Sequence, residues 1–151
     1  MKLAQMFGNV RQEGYIVRDM KAAVRHWTEA LGVGPFFLMT DVKVPVVYKG
    51  VPVTAELEVA FSHHGDFQIE ITQQTNDVQT IWSDFIRSGG EGFHHCAFWT
   101  TDFQRDLAAA QSLGMDPVQT AFNRSSMCYF EPMPGIVFEL SEHGPGSAAN
   151  R

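Results

Sequence analysis

The sequence predicts an α+β fold: two βαβββ modules in pseudo-twofold pairing, forming a cupped, mostly antiparallel sheet with helices on its convex side. Three observations predict it. The β-prone run Gly92-Phe-His-His-Cys-Ala-Phe-Trp-Thr-Thr-Asp102 has an earlier counterpart in Gln12-Glu-Gly-Tyr-Ile-Val-Arg-Asp19. In each, a metal-capable side chain, His95 or Gln12, stands seven residues before an Asp suited to cap a helix. The helical stretches that follow end alike, at Leu113-Gly114 and at Leu31-Gly32, and each half closes on a Glu between apolar neighbours, Ile69-Glu70-Ile71 and Phe138-Glu139-Leu140. Self-similarity at a period of roughly 80 residues marks a duplicated module rather than a solenoid of short repeats. The modules span residues 8–75 and 91–142, joined by a linker helix over 77–88, within a single domain, 1–151.

In chain order, residues 1–10 make a short arm suited to pair with a sheet edge or a partner chain. A strand over about residues 12–17 leads to Asp19, the N-cap of a helix whose Met20, Ala23, Val24, Trp27 and Leu31 recur at helical spacing and so form one core-facing stripe. Gly32, Gly34 and Pro35 stop that helix, and Phe36 opens a strand to Met39. Residues 43–49 and 53–61 read as a hairpin around Gly50-Val-Pro52, and residues 62–66 as the next turn. His63 and His64 fall in that turn, where histidines are solvated unless other ligands converge on them. Val78, Ile81, Trp82 and Phe85 mark the linker helix, with Asn76 or Asp77 as its cap and Gly89-Gly90 as its end. The second module repeats the plan: a helix after Asp102 with Phe103, Leu107, Ala110 and Leu113 on its apolar face, two strands in residues 118–131 around an Asn123-Arg-Ser-Ser turn, and a last strand holding Glu139. The tail from Gly144 is small and polar and should fray.

With 44% hydrophobic and 19% charged residues, the chain has the makeup of a folded globule and not of a disordered one. A formal charge of −6 and the scatter of Lys and Arg argue against a nucleic-acid partner, which requires a basic stripe. No run approaches the roughly 18 apolar residues of a membrane span, and no secretory signal is read at the N-terminus. A small organic molecule is therefore the expected partner and the cytoplasm the expected location. Cys96 and Cys128, in apparent strands, read as reduced and structural. Sheet edges need covering, so a homodimer is expected.

Strand side chains alternate between faces, so Glu70 and Glu139 point away from the apolar residues beside them. Gln12 and Glu70 come from the first and last strands of one module, His95 and Glu139 from those of the other, and pseudo-twofold pairing brings all four to one concave face. Burying an unpaired carboxylate costs several kcal/mol and two aimed at one cavity repel, whereas a divalent cation offsets both charges. This oxygen-rich set suits Zn, Ni, Co, Mn or Mg and leaves two adjacent octahedral positions for a substrate with neighbouring oxygens. Trp99, Tyr129 and Phe37 are candidates to shape an apolar substrate pocket. Strict alternation sends only one of His94 and His95 inward. His95 matches the spacing of Gln12 and has small Ala97 on its face, where Gly14 is the counterpart, so His94 is read as facing the helices with Cys96 and Phe98.

The motifs Tyr15-Ile-Val-Arg-Asp19 with Ala23 and Trp27, Leu31-Gly32, Ile69-Glu70-Ile71, Gly92-Phe-His-His95 with Asp102, and Pro134-Gly-Ile-Val-Phe-Glu139-Leu140 resemble the vicinal oxygen chelate superfamily over residues 8–142. Its members include glyoxalase I, methylmalonyl-CoA epimerase, fosfomycin-resistance transferases, extradiol dioxygenases and bleomycin-binding proteins. The resemblance implies that Gln12, Glu70, His95 and Glu139 occupy the family's four metal positions. The order Gln, Glu, His, Glu is similar to that of zinc-type glyoxalase I. Nickel-type glyoxalases carry His first, epimerases carry His first and Gln second, and extradiol dioxygenases use two His and one Glu, so Gln12 departs from all three. The resemblance further implies a metal-dependent isomerase or lyase that moves a proton next to a carbonyl, with Glu139, or Glu70 in a symmetric arrangement, as the base. A metal-free small-molecule binding or resistance protein on the same fold is the alternative.

Overall fold

The structure is a computed structural model that describes residues 3–122 and 125–144. Eight strands are present among them: β1 (Gln12–Ile16), β2 (Phe37–Tyr48), β3 (Val51–His64), β4 (Phe67–Gln74), β5 (Gly92–Thr100), β6 (Gln119–Phe122), β7 (Ser126–Met133) and β8 (Ile136–Glu142). Within each half the first strand runs parallel to the last, β1 with β4 and β5 with β8, and every other neighbour is antiparallel. The halves meet twice, β1 against β5 and β2 against β6, as a pseudo-twofold arrangement requires. The mixed, mostly antiparallel α+β architecture follows the expectation, but the open cup does not. The sheet closes into a barrel in the order β1-β4-β3-β2-β6-β7-β8-β5. Closure rests on Val47 and Tyr48 pairing with Thr120 and Gln119, a short seam that leaves most of the outer edge of β2 beside a groove.

Four α-helices accompany the strands among the described residues: α1 (Leu3–Phe7), α2 (Met20–Arg25), α3 (Ile81–Arg87) and α4 (Phe103–Ser112). Asp19 and Asp102 cap α2 and α4, accepting from the backbone N–H of Ala22 and Arg105, so the two Asp residues do what their spacing predicts. α2 continues through a π-helical turn, His26–Ala30, and buries Met20 against Ala60 and Ile71 on the outer face of β3 and β4. α4 buries Phe103 and Ala110 against Phe98, Phe130, Phe138 and Leu140 on the outer face of the other half. These two helices lie on the convex side. α3 does not: its Ile81 and Trp82 join Ile16, Tyr48, Leu57 and Tyr129 inside the barrel and plug one end.

Several local expectations are revised. The N-terminal arm forms α1, whose Phe7 packs on Phe98 at 5.8 Å instead of pairing with a strand. β2 is continuous, with a register shift between Met39 and Val42 where Asp41 adopts φ +55°. The β2–β3 turn lies at Lys49 and Gly50, both with positive φ, so Pro52 is inside β3, as are His63 and His64. α3 starts later than expected because Thr80, not Asn76 or Asp77, caps it through a reciprocal capping box with Ser83. Asn76 instead accepts from Glu56 N–H and donates to the Thr54 carbonyl, tying down the chain before the helix. Asn123 and Arg124 of the expected second-module turn, and the tail beyond Gly144, lie outside the described residues.

Candidate metal centre

The period of two selects what faces the barrel interior: Gln12 and Gly14 on β1, Gln68, Glu70 and Thr72 on β4, His95 and Ala97 on β5, Glu139 and Ser141 on β8. Register brings these together, since Gly14 pairs with both Glu70 and His95, and Ala97 with both Gln12 and Glu139. Among the described residues, Glu70, His95 and Glu139 each place one donor atom within 4.8 Å of the others. His95 is fully buried, with Nε2 3.2 Å from Glu139 Oε2 and 3.9 Å from Glu70 Oε1. The Gln12 carbonyl oxygen lies 3.4 Å from the same Nε2, so all four sequence candidates converge on one point. Gly14 makes room for this: a Cβ there would overlap the His95 imidazole.

The two carboxylates have different surroundings. Burial, and then the charge of Glu139, pushes the Glu70 carboxyl up to about 7 against the pull of His95, Thr72 and Gln12. Burial would raise Glu139 too, but the hydrogen bond and electrostatic attraction of His95, followed by hydrogen bonds from Tyr129 and Ser141, outweigh it and hold that carboxyl below its usual range. Glu139 is thus firmly held. Glu70 has only long contacts, 3.4 Å each from Thr72 Oγ1 and Gln12 Nε2, and its side chain keeps 15% exposure against 6% for Glu139. Two carboxylates, an imidazole and an amide oxygen in a buried space are a donor set that fits a hard or borderline divalent cation.

His94 overturns strict alternation. Tyr15 pairs with Phe93 while Gly14 pairs with His95, so His94 is the extra residue of a β-bulge. The bulge turns it inward, toward α3, instead of toward the outer-face helices α2 and α4. Its Nδ1 lies 3.0 Å from His95 Nδ1, and its ring packs edge-on against Phe85 of α3 at 4.9 Å. Burial, and then His95, depress His94 to about 3, which leaves it neutral.

The three pocket candidates separate. Tyr129 is buried behind the site, edge-on to His95 at 5.0 Å, accepts from Trp82 Nε1 at 3.3 Å and donates to Glu139, so it positions a carboxylate instead of lining an open surface. Trp99 is half-buried, stacks on His143 at 4.2 Å and carries the Arg11 guanidinium 4.7 Å above its ring. Phe37 is 65% exposed at the start of β2 and takes no part in the cluster. Unforeseen were Gln68, which accepts from the Gln12 amide and contacts His63 Nε2 at 2.9 Å, and Ser141, which bonds Glu139. Both were findable, for each lies two residues from a candidate Glu on the same strand face. A groove of about 880 Å³ runs along Met39 to Val44 and reaches Ala121 and Met127, which also pack against the barrel core.

Comparison with known proteins agrees with the fold. The fold is similar to that of methylmalonyl-CoA epimerase from Mycobacterium tuberculosis (TM-score 0.66, 18% identity, covering 99% of this chain and 97% of that one). It is also similar to a hypothetical protein from Bacillus halodurans (TM-score 0.66, 17% identity, 89% and 94% covered). A third similar structure is a Streptomyces coelicolor methylmalonyl-CoA epimerase variant in complex with 2-nitronate-propionyl-CoA (TM-score 0.63, 17% identity, 90% and 94% covered). Among curated proteins none matches. At these identities the structures establish the fold alone, while the family comes from the sequence itself, where residues 11–129 match the Glyoxalase/Bleomycin resistance protein/Dioxygenase superfamily. With most of the chain matched, and with a duplicated barrel converging four polar side chains on one point, the protein belongs to the glyoxalase/bleomycin resistance protein/dioxygenase superfamily.

Proposed function

We propose that the chain is a metal-dependent isomerase or lyase that moves a proton next to a carbonyl of a small substrate with neighbouring oxygens. The convergence of Glu70, His95 and Glu139 within 4.8 Å, with Gln12 beside them, carries the reading. A divalent cation held by these four residues would polarise a carbonyl oxygen and so acidify the adjacent C–H. The protein's own part is positional. Glu139, fixed by His95, Tyr129 and Ser141, remains an ionised anchor. Glu70, loosely held and the more exposed of the two, takes the proton and returns it to carbon, or keeps it while a leaving group departs. The epimerase neighbours are isomerases by name, which supports the reaction class without assigning a substrate.

The competing reading is a metal-free binding protein on the same scaffold, favoured by the way Gln12, Gln68 and His95 already satisfy one another through hydrogen bonds. Elemental analysis of the purified protein, combined with thermal shifts in Zn, Ni, Co, Mn and Mg, decides between them. Stoichiometric metal or a cation-dependent rise in melting temperature is expected. No metal and no response to any of the five would sink the enzyme reading.

A further inference from the structure

His94 is buried beside Phe85 and Tyr129, in largely aromatic surroundings. Burying an imidazole there is unfavourable unless it is hydrogen-bonded, and its Nδ1 meets the Nδ1 of His95 at 3.0 Å. Of two ring nitrogens at that distance, one donates and the other accepts. Building on the metal reading of the site, we infer that His94 is a positioning residue that sets the tautomer of His95 and exchanges roles with it when a cation is taken up.

Two arrangements satisfy the contacts. In one, His94 Nδ1–H donates to His95 Nδ1, and His95 Nε2–H donates to Glu139 Oε2 at 3.2 Å. In the other, His95 Nδ1–H donates to His94 Nδ1, and the Nε2 lone pair of His95 faces Gln12, Glu70 and Glu139, as ligation requires. Passing from the first to the second, one proton leaves His95 Nε2, one moves from His94 Nδ1 to His95 Nδ1, and one is taken up at His94 Nε2. Each ring carries one proton before and after. His94 lines a cavity of about 450 Å³ with Asp84, Phe85, Ser88 and Glu131, which gives that last proton a route from solvent. A serine or threonine hydroxyl could also donate and accept, but neither reaches as far as an imidazole Nδ1 braced by an aromatic ring.

The test measures zinc affinity by chelator competition for wild type, His94→Phe and His94→Asn, with ring ¹⁵N shifts of His95 recorded in wild type with and without zinc. Asn keeps a polar atom at the δ position and Phe does not. His94→Phe is expected to bind zinc about 10- to 100-fold more weakly while its circular dichroism is unchanged, and His94→Asn to recover most of the loss. On adding zinc to wild type, the His95 proton is expected to move from Nε2 to Nδ1, a readout that stands even where His94→Phe fails to fold. Equal affinity in folded His94→Phe, or a His95 Nδ1 left unprotonated in the zinc form, overturns the inference alone. A wild-type protein that binds none of the cations overturns the metal reading and this inference with it.

Discussion

Gly14 and His95 face each other across the β1–β5 seam, and the imidazole occupies the space that any side chain at position 14 would fill. Gly14→Ala is therefore expected to displace the ring and not merely stiffen the backbone. Overpacking of this kind costs about 1–3 kcal/mol. The variant should unfold at lower denaturant concentration and lose metal, and titration calorimetry with zinc would show it. Normal zinc binding in Gly14→Ala would mean that His95 is not held where this seam puts it.

Glu70 and Glu139 should respond unequally to removal of charge when metal is chelated. Glu139 accepts from His95, Tyr129 and Ser141, and Glu139→Gln disturbs all three bonds in a buried setting, at a cost of about 1–3 kcal/mol. Glu70→Gln removes one of two neighbouring buried charges and breaks only long contacts, so chelated protein should lose no more than about 1 kcal/mol. Both variants should nevertheless bind metal more than about 100-fold more weakly, since loss of a ligand exceeds the loss of a supporting partner. Urea titrations in chelator and in zinc separate the two effects.

Adding the cation has its own signature. At about 1,000 times its dissociation constant, a ligand that binds only the folded chain stabilises it by about 4 kcal/mol, roughly 10 °C for a domain of this size. Chelation should reverse the shift, and differential scanning calorimetry would measure it.

Why the four candidates were legible and their supports were not is a matter of symmetry against irregularity. A duplicated module puts Gln12 and His95, and Glu70 and Glu139, at equivalent strand positions, and the twofold pairing of β1 with β5 carries them to one place. Period two applied once more to each Glu would have added Gln68 and Ser141. His94 could not be read this way, because a bulge changes the parity of a strand without changing its composition, and the elements it faces, β1 and α3, are remote in sequence. Barrel closure was hidden for a similar reason. It depends on two residues of β2 meeting two of β6, a contact with no periodic signature.

Self-association is a further proposal. Phe37, Leu38 and Met39 are exposed at the start of β2, whose outer edge, among the described residues, pairs with β6 only at Val47 and Tyr48. We propose that a second copy covers this surface, which would remove apolar area from water. Light scattering at micromolar concentration should give dimer mass for the wild type and monomer mass for a Phe37→Asp, Met39→Asp double variant. Monomer mass for the wild type would contradict the proposal.

The Arg18–Glu91 pair should give an acid-side loss of stability. Glu91 accepts from the Arg18 backbone N–H at 3.0 Å and from its guanidinium at 2.7 Å, while Arg18 also donates to the Ile86 carbonyl, so the pair ties the end of β1 to α3 and the start of β5. The Arg18 backbone bond, and then its side chain, hold the Glu91 carboxyl below its usual range. A carboxyl with a lowered folded value binds its proton more readily in the unfolded chain, so its contribution is fully present above the unfolded value, near pH 4–5, and is lost as pH falls toward the folded value. Because both side chains are 46% exposed, solvent screens the pair and the contribution stays within about 1 kcal/mol. Glu91→Gln is expected to be slightly less stable than wild type at pH 7, with the gap narrowing below about pH 5. Denaturant midpoints of the two proteins from pH 3 to 8 give the difference directly, other titrating groups being common to both. A gap that stays constant across this range would show that the lowered Glu91 value does not contribute to acid stability.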